Sequence, residues 1–174
     1  MPPQGSVPLP LRGVAVSRPG RGSWLADELL DTLIPWDPEA RVVETRFPGV
    51  IAVYTTLDPG QLARIISRGY HSFMKRLTPA MAMVEARGWS DIEALVRGLL
   101  TGPPGRVRLI LATRGVGKSL AGRGRLEDLV RSLGFTPSRG ARMALAIESL
   151  DGLFLGAYGI TSPCGPDCVT VTLP

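Results

Sequence analysis

The stretch Arg106–Arg125, RVRLILATRGVGKSLAGRGR, constrains the fold more tightly than any other part of this chain. An apolar run (Val107, Leu109, Ile110, Leu111) long enough for one buried strand breaks at Arg114-Gly115 into a loop of glycines and cations. A helix carrying Leu126, Leu129, Val130 and Leu133 follows, and Gly134 stops it. Strand, basic loop and helix start gather Arg106, Arg108, Arg114, Lys118, Arg123 and Arg125 near unpaired backbone N–H groups, and Gly115 and Gly117 let backbone come close to a ligand. Such a place attracts phosphate.

A nucleotide is the first phosphate to consider, because Gly115–Ser119 reads GVGKS. A phosphate loop of the form G-x-x-x-x-G-K-[ST] needs a glycine where this chain has Ala112, still inside the strand. The helix of such a loop starts at the lysine, whereas Gly122 and Gly124 delay it here. The acidic residues that follow, Glu148 and Asp151, are read as part of a turn, which leaves no strand-end aspartate to hold magnesium. GVGKS is therefore read as a chance match, and a small nucleotide-binding protein stays as the alternative.

The 174 residues suffice for one ordinary domain or two small ones, and 44% hydrophobic content builds a real core. The formal charge of +5 and a pI near 9.9 favour an anionic partner such as nucleic acid. Lysine occurs only at Lys75 and Lys118, and the remaining cations are arginines, suited to bidentate phosphate contacts. No segment approaches the roughly 20 apolar residues of a membrane span. The prolines of MPPQGSVPLP interrupt any signal-peptide core, so a cytoplasmic location is expected, with residues 1–10 disordered or extended. His71, Cys164 and Cys168 cannot assemble four zinc ligands without carboxylates, so no metal is assigned. The cysteines more plainly frame a turn over Gly165-Pro166-Asp167, and a disulfide between them is left open.

In chain order, a strand at Gly13–Ser17 precedes a helix over Ser23–Ile34, capped by Ser23 and carrying Leu25, Leu29, Leu30 and Leu33 on one stripe. Trp24 and Trp36 flank it and read as core. Strands at Arg41–Thr45 and Val50–Thr55 meet at Phe47-Pro48-Gly49. Asp58, Pro59 and Gln61 spell a capping box for a helix that Gly69 closes, and a strand over Leu77–Glu85 completes a β-α-β-β-α-β order, that of a ferredoxin-like unit. In the second half Ser90 and Glu93 read as a capping box, with Trp89 as a hydrophobic staple. After the organising strand, loop and helix, strands at Ala141–Glu148 and Leu153–Gly159 turn at Asp151-Gly152, and Val169–Leu173 reads as an added edge strand. The fold class is α/β or α+β, with units at 11–86 and 87–174.

The order of a ferredoxin-like unit followed by α-β-α-β-β resembles THUMP-domain proteins. VVETRFPGVIAVYTTLDPGQLARII looks like their N-terminal ferredoxin-like half, and RVRLILATRGVGKSLAGRGRLEDLV like their strand, basic loop and helix. The likeness spans Val14 to Ile160; where the family commonly has Asn-Pro-Asp in its hairpin, this chain has Ser149-Leu150-Asp151-Gly152. The family is an RNA-binding module of tRNA-modifying enzymes and of the adaptor for tRNA cytidine acetylation. Because the sequence ends at Pro174, the resemblance implies a stand-alone, non-catalytic adaptor without cofactor. Its partners are then tRNA, held by the 3′ end and phosphates, and a separate modifying enzyme, an acetyltransferase in the closest analogy. A ferredoxin-like protein-interaction module is the blander alternative.

Weaker candidates complete the reading. Tyr70, His71, Phe73, Lys75 and Arg76 set aromatics beside cations, although Tyr70 and Phe73 read as packing at a helix end. Arg64, Arg68, Arg97 and Arg131 read as solvated helix surface that extends a basic face. The acidic residues lie mainly at helix starts, where they favour the dipole, and His71 has no partner at a useful spacing for acid–base work.

Overall fold

The computed structural model describes residues 8–174, so the expectation for the N-terminal tail falls largely outside the described residues. Among the described residues ten strands and five helices follow one another as β1 (Leu11–Ser17), α1 (Gly22–Leu33), β2 (Arg41–Glu44), β3 (Val50–Tyr54), α2 (Pro59–Arg68), β4 (Met74–Pro79), β5 (Ala82–Glu85), α3 (Trp89–Leu99), β6 (Arg106–Ala112), α4 (Gly117–Leu120), α5 (Arg123–Ser132), β7 (Thr136–Pro137), β8 (Met143–Leu150), β9 (Leu153–Gly165) and β10 (Cys168–Thr172). The fold is α+β, and its first six elements form the expected ferredoxin-like unit with strand order β2-β3-β1-β4.

All strands belong to a single sheet, ordered β2-β3-β1-β4-β10-β9-β8-β6-β7, with β5 against β9. Two strands carry the continuity. β10, expected at an edge, lies inside the sheet, parallel to β4 and antiparallel to β9. The alternation of Val and Thr announces a strand, but nothing local in it distinguishes one neighbour from two. β9 pairs β5 along its first residues and β10 along its last. The strand expected over Leu77–Glu85 is two strands: after Pro79, which has no N–H to give a ladder, Ala80 N–H donates to Arg12 and Met81 N–H to Gly156 of β9.

The helices share one face of the sheet. Along β9, Phe154 lies in the cluster under α3 and α5, and Cys164 in the cluster under α1 and α2. Leu155 and Ala157, on the alternate face, pack in clusters without a helix residue, with Val14, Val50 and Ala80 or with Ala144, Ala146 and Val171. Fully buried Leu25, Leu29, Leu33, Leu62 and Ile66 anchor α1 and α2, each side chain contributing about 1.5–3 kcal/mol of burial.

Capping is legible for one helix and not for two others. In α2 the Asp58 carboxylate accepts from Gln61 N–H at 2.8 Å, and Asp58 N–H donates to Gln61 Oε1 at 3.0 Å. Neither Ser23 nor Ser90 caps: α1 starts a residue earlier behind Arg21, and α3 starts at Trp89 behind Gly88, so both serines lie inside the first turn. Glu93 instead pairs with Arg97 at 2.8 Å. Trp24 and Trp36, expected in the core, are 55% and 59% exposed, because α1 turns its leucine stripe inward. Cys164 and Cys168 are joined in a disulfide, buried in the cluster under α1 and α2.

His71 lies buried beside that turn, its N–H donating to Cys164 O at 2.8 Å and its Nε2 3.1 Å from Ile66 O. Burial pushes the imidazole pKa below its ordinary 6.5, against the opposing pull of the Glu28 carboxylate and the Ile66 carbonyl. The fold therefore holds the neutral ring, and the unfolded chain takes up the extra proton. Stability should be intact above about pH 6.5 and decline as pH falls below it, measured as unfolding free energy between about pH 7.5 and 5.5. His71→Gln, once its own loss of stability is subtracted, should flatten that decline.

Candidate nucleic-acid interface

Strand β6 delivers its cations to two places. At its far end, Arg114 turns inward. Its Nη1 donates to Glu148 Oε2 at 2.7 Å, and the same carboxylate accepts from Arg76 Nε at 2.5 Å and from Thr78 Oγ1 at 3.3 Å. Glu148 is fully buried in β8 and not in a turn as its sequence position suggested, and Arg114 and Arg76 keep only 13% and 16% of their side chains exposed. Arg114 is thus the counterion of a protein carboxylate.

The loop after it is equally committed to the protein. Arg114 N–H donates to Ser149 Oγ at 2.7 Å, and the N–H groups of Gly117, Lys118 and Ser119 bond back into the turn at 3.2 Å each. Gly115 has φ 61°, and a Cβ there would run into the Asp151 carboxylate, while a Cβ on Gly117 would meet Ser149 Oγ. Asp151, with φ 54°, closes the contact by pairing with Arg46. The Arg46 hydrogen bond, helped by the Val116 N–H, holds its carboxyl below the usual range. The glycines permit a close backbone approach, but to the β8–β9 turn. Four of the loop's N–H groups are spent internally, and α4 is a four-residue turn, so GVGKS lacks the open cradle that a triphosphate requires. Lys118 stands exposed on α4 without an ion-pair partner among the described residues.

At the near end, Arg108 and Leu109 of β6 meet one face of α5 and the segment after β7 around a groove of about 600 Å³. Its wall carries Arg108, Arg123, Arg131 and Arg139, with Glu127, Pro137 and Ser138. Arg106 stands beside it, its Nη2 donating to Ser138 Oγ at 2.6 Å. Among the described residues that line the groove Glu127 is the one carboxylate; it pairs with Arg123 at 3.1 Å and Arg131 at 3.7 Å, and Arg131 also reaches Asp128 at 3.7 Å. Arg108 and Arg139 have no ion-pair partner among the described residues. The arrangement suits several phosphates along a backbone.

The expected set thus divides. Arg106, Arg108 and Arg123 come together; Arg114, Gly115, Gly117 and Lys118 lie at the opposite end of β6; Arg125 covers the Trp89 ring at 5.2 Å. The sequence reading left Arg131 as surface and overlooked Arg139. The first has a local signal in the Arg123, Glu127, Arg131 spacing of one helix face. The second reaches the groove because β7 pairs with β6 from Arg106 onward.

No protein-family model and no curated protein matches the chain. Solved structures do. PH1313 from Pyrococcus horikoshii Ot3 superposes with TM-score 0.54 at 18% identity, over 86% of this chain and 57% of that one. A possible methylase from Clostridium difficile 630 gives 0.54 at 13%, over 88% and 42%. SMU.472, a putative methyltransferase complexed with SAH, gives 0.51 at 12%, over 84% and 40%. The chain spans about two fifths to little more than half of these longer proteins. The similarity is one of fold, and it agrees with the THUMP-like architecture. Among the described residues no helix is long and apolar enough to cross a membrane, and no group of acidic, histidine and cysteine side chains is suited to a metal.

The two ends of β6 should respond differently to mutation. Arg76→Met with Arg114→Met leaves Glu148 buried and unpaired, and should cost about 3–5 kcal/mol in urea unfolding. Each single change should cost clearly less than half of that, since the other arginine remains.

Proposed function

We propose that this chain is a non-catalytic tRNA-binding adaptor. In this reading the groove along α5 holds phosphates near the 3′ end of tRNA, and the module presents the RNA to a separate modifying enzyme. An acetyltransferase forming 4-acetylcytidine is the partner to which the family resemblance points. The observation that carries the reading is the groove itself, lined by four arginines and a single glutamate on a THUMP-like fold. Two of the arginines are unpaired and ready for an external anion. Arginine forks match phosphate bidentately, and such contacts fix the register of an RNA while carrying little sequence information. The closed GVGKS loop weighs against the nucleotide-binding alternative.

The cytoplasm, where tRNA is modified, fits this role. In this reading the chemistry is assigned to the partner.

Arg108→Ala with Arg139→Ala tests the proposal, because neither side chain pairs with a carboxylate among the described residues. The double variant should fold as the parent, bind tRNA at least tenfold more weakly near physiological salt, and lower the slope of log affinity against log salt by about one per arginine removed. A variant that binds with the parent's affinity and slope would refute the groove as the RNA site.

A further inference from the structure

The three tryptophans are unequally used. Trp24 stacks on Phe73 with centroids 5.4 Å apart and lies under Arg21 at 5.6 Å. Trp89 lies under Arg125. Among the described residues no aromatic ring stacks on Trp36 and no guanidinium lies over its face, although 59% of the residue faces solvent. Trp24 is nearly as open at 55%, but its ring is engaged by Phe73 and Arg21, and the Trp36 ring is not.

Its backbone is nonetheless tightly held. Trp36 N–H and Asp37 N–H both donate to Leu33 O, at 2.9 and 2.8 Å. The next side chain, Asp37, is buried and accepts from Thr55 Oγ1 at 2.6 Å, Thr56 N–H at 2.8 Å and Glu39 N–H at 3.0 Å. Burial alone would raise that carboxyl, but these three donors bring it below its ordinary value and keep it a fixed anion. The ring is therefore presented from an anchored turn.

Opposite it, α2 turns its outer face, Gln61, Arg64, Ile65 and Arg68, into a depression of about 180 Å³ shared with Trp36 and Leu57. Arg64 and Arg68 are exposed and have no carboxylate partner among the described residues. An apolar floor, an open aromatic face and two unpaired guanidinium groups within one small concavity match one chemical object. It has a flat, uncharged π-system and anions a few ångströms away on each side.

We infer that Trp36, Arg64 and Arg68 form a stacking subsite for one unpaired nucleotide of bound RNA. The base lies on the indole, and the flanking phosphates meet Arg64 and Arg68. The subsite deepens the proposed function and rests on it. It explains how a module whose phosphate contacts are indifferent to strandedness prefers a single-stranded end, because only an unstacked base can reach the ring.

Binding of a short unpaired oligoribonucleotide and of duplex RNA of equal length, by the full chain and its Trp36→Ala and Trp36→Phe variants, tests this. Trp36→Ala should weaken the unpaired ligand by about tenfold or more and leave the duplex unchanged, while Trp36→Phe retains most of the affinity. Thermal unfolding of all three proteins controls for folding. Equal binding of the unpaired ligand by parent and Trp36→Ala overturns the subsite and leaves the arginine groove standing. Parallel loss of both ligands overturns it too, since stacking cannot act on a duplex. A parent that binds neither RNA overturns the functional reading and the subsite with it.

Discussion

Glu148 is the residue on which the rest of this structure leans. A carboxylate without solvent exposure is tolerable only with counterions, and it receives two, Arg76 from the first unit and Arg114 from the end of the organising strand. β4, β8 and the loop after β6 are thereby tied at one point. Ser149, its neighbour, binds the same loop through Arg114 N–H, and Asp151 lies against Gly115 of that loop while pairing with Arg46 of the β2–β3 turn. The basic loop is consequently a clamp, and α5 is launched from a fixed position. The groove between α5 and β6 inherits its shape from that clamp.

Sheet continuity joins the two expected units. With β10 inserted between β4 and β9, and β9 divided between β5 and β10, the two expected units share backbone hydrogen bonds as well as side-chain contacts. Any ligand bridging the α5 groove and the α2 face would meet parts of one sheet. This is preorganisation of the kind that lowers the entropic cost of holding a long, flexible polymer.

What the sequence made legible follows the range of the interactions. Asp58, Pro59 and Gln61 announce their helix because the whole device fits within one turn. The β-α-β-β-α-β order emerges from alternating hydrophobic periods, and Asp151-Gly152 marks its hairpin. Arg114 misled because its partner lies 34 residues further on, and a cation beside glycines looks the same whether it awaits a phosphate or a buried glutamate. β10 misled because one strand's pattern does not number its neighbours. Arg139 was invisible because its role is created by β7 pairing beside β6. Trp36 looked like core because tryptophan usually is, and only its surroundings reveal an unoccupied ring.

On the proposed function, the module grips RNA at an unpaired end as well as by charge. A salt series of binding to intact tRNA, to the same tRNA trimmed of its terminal CCA, and to duplex RNA of equal length tests this most directly, since polyelectrolyte attraction acts on all three and falls with salt. Trimming should weaken binding at every salt concentration by far more than the loss of a few phosphates, and the duplex should bind most weakly. Equal affinities with a common salt slope would contradict it and reduce the arginine groove to an electrostatic patch.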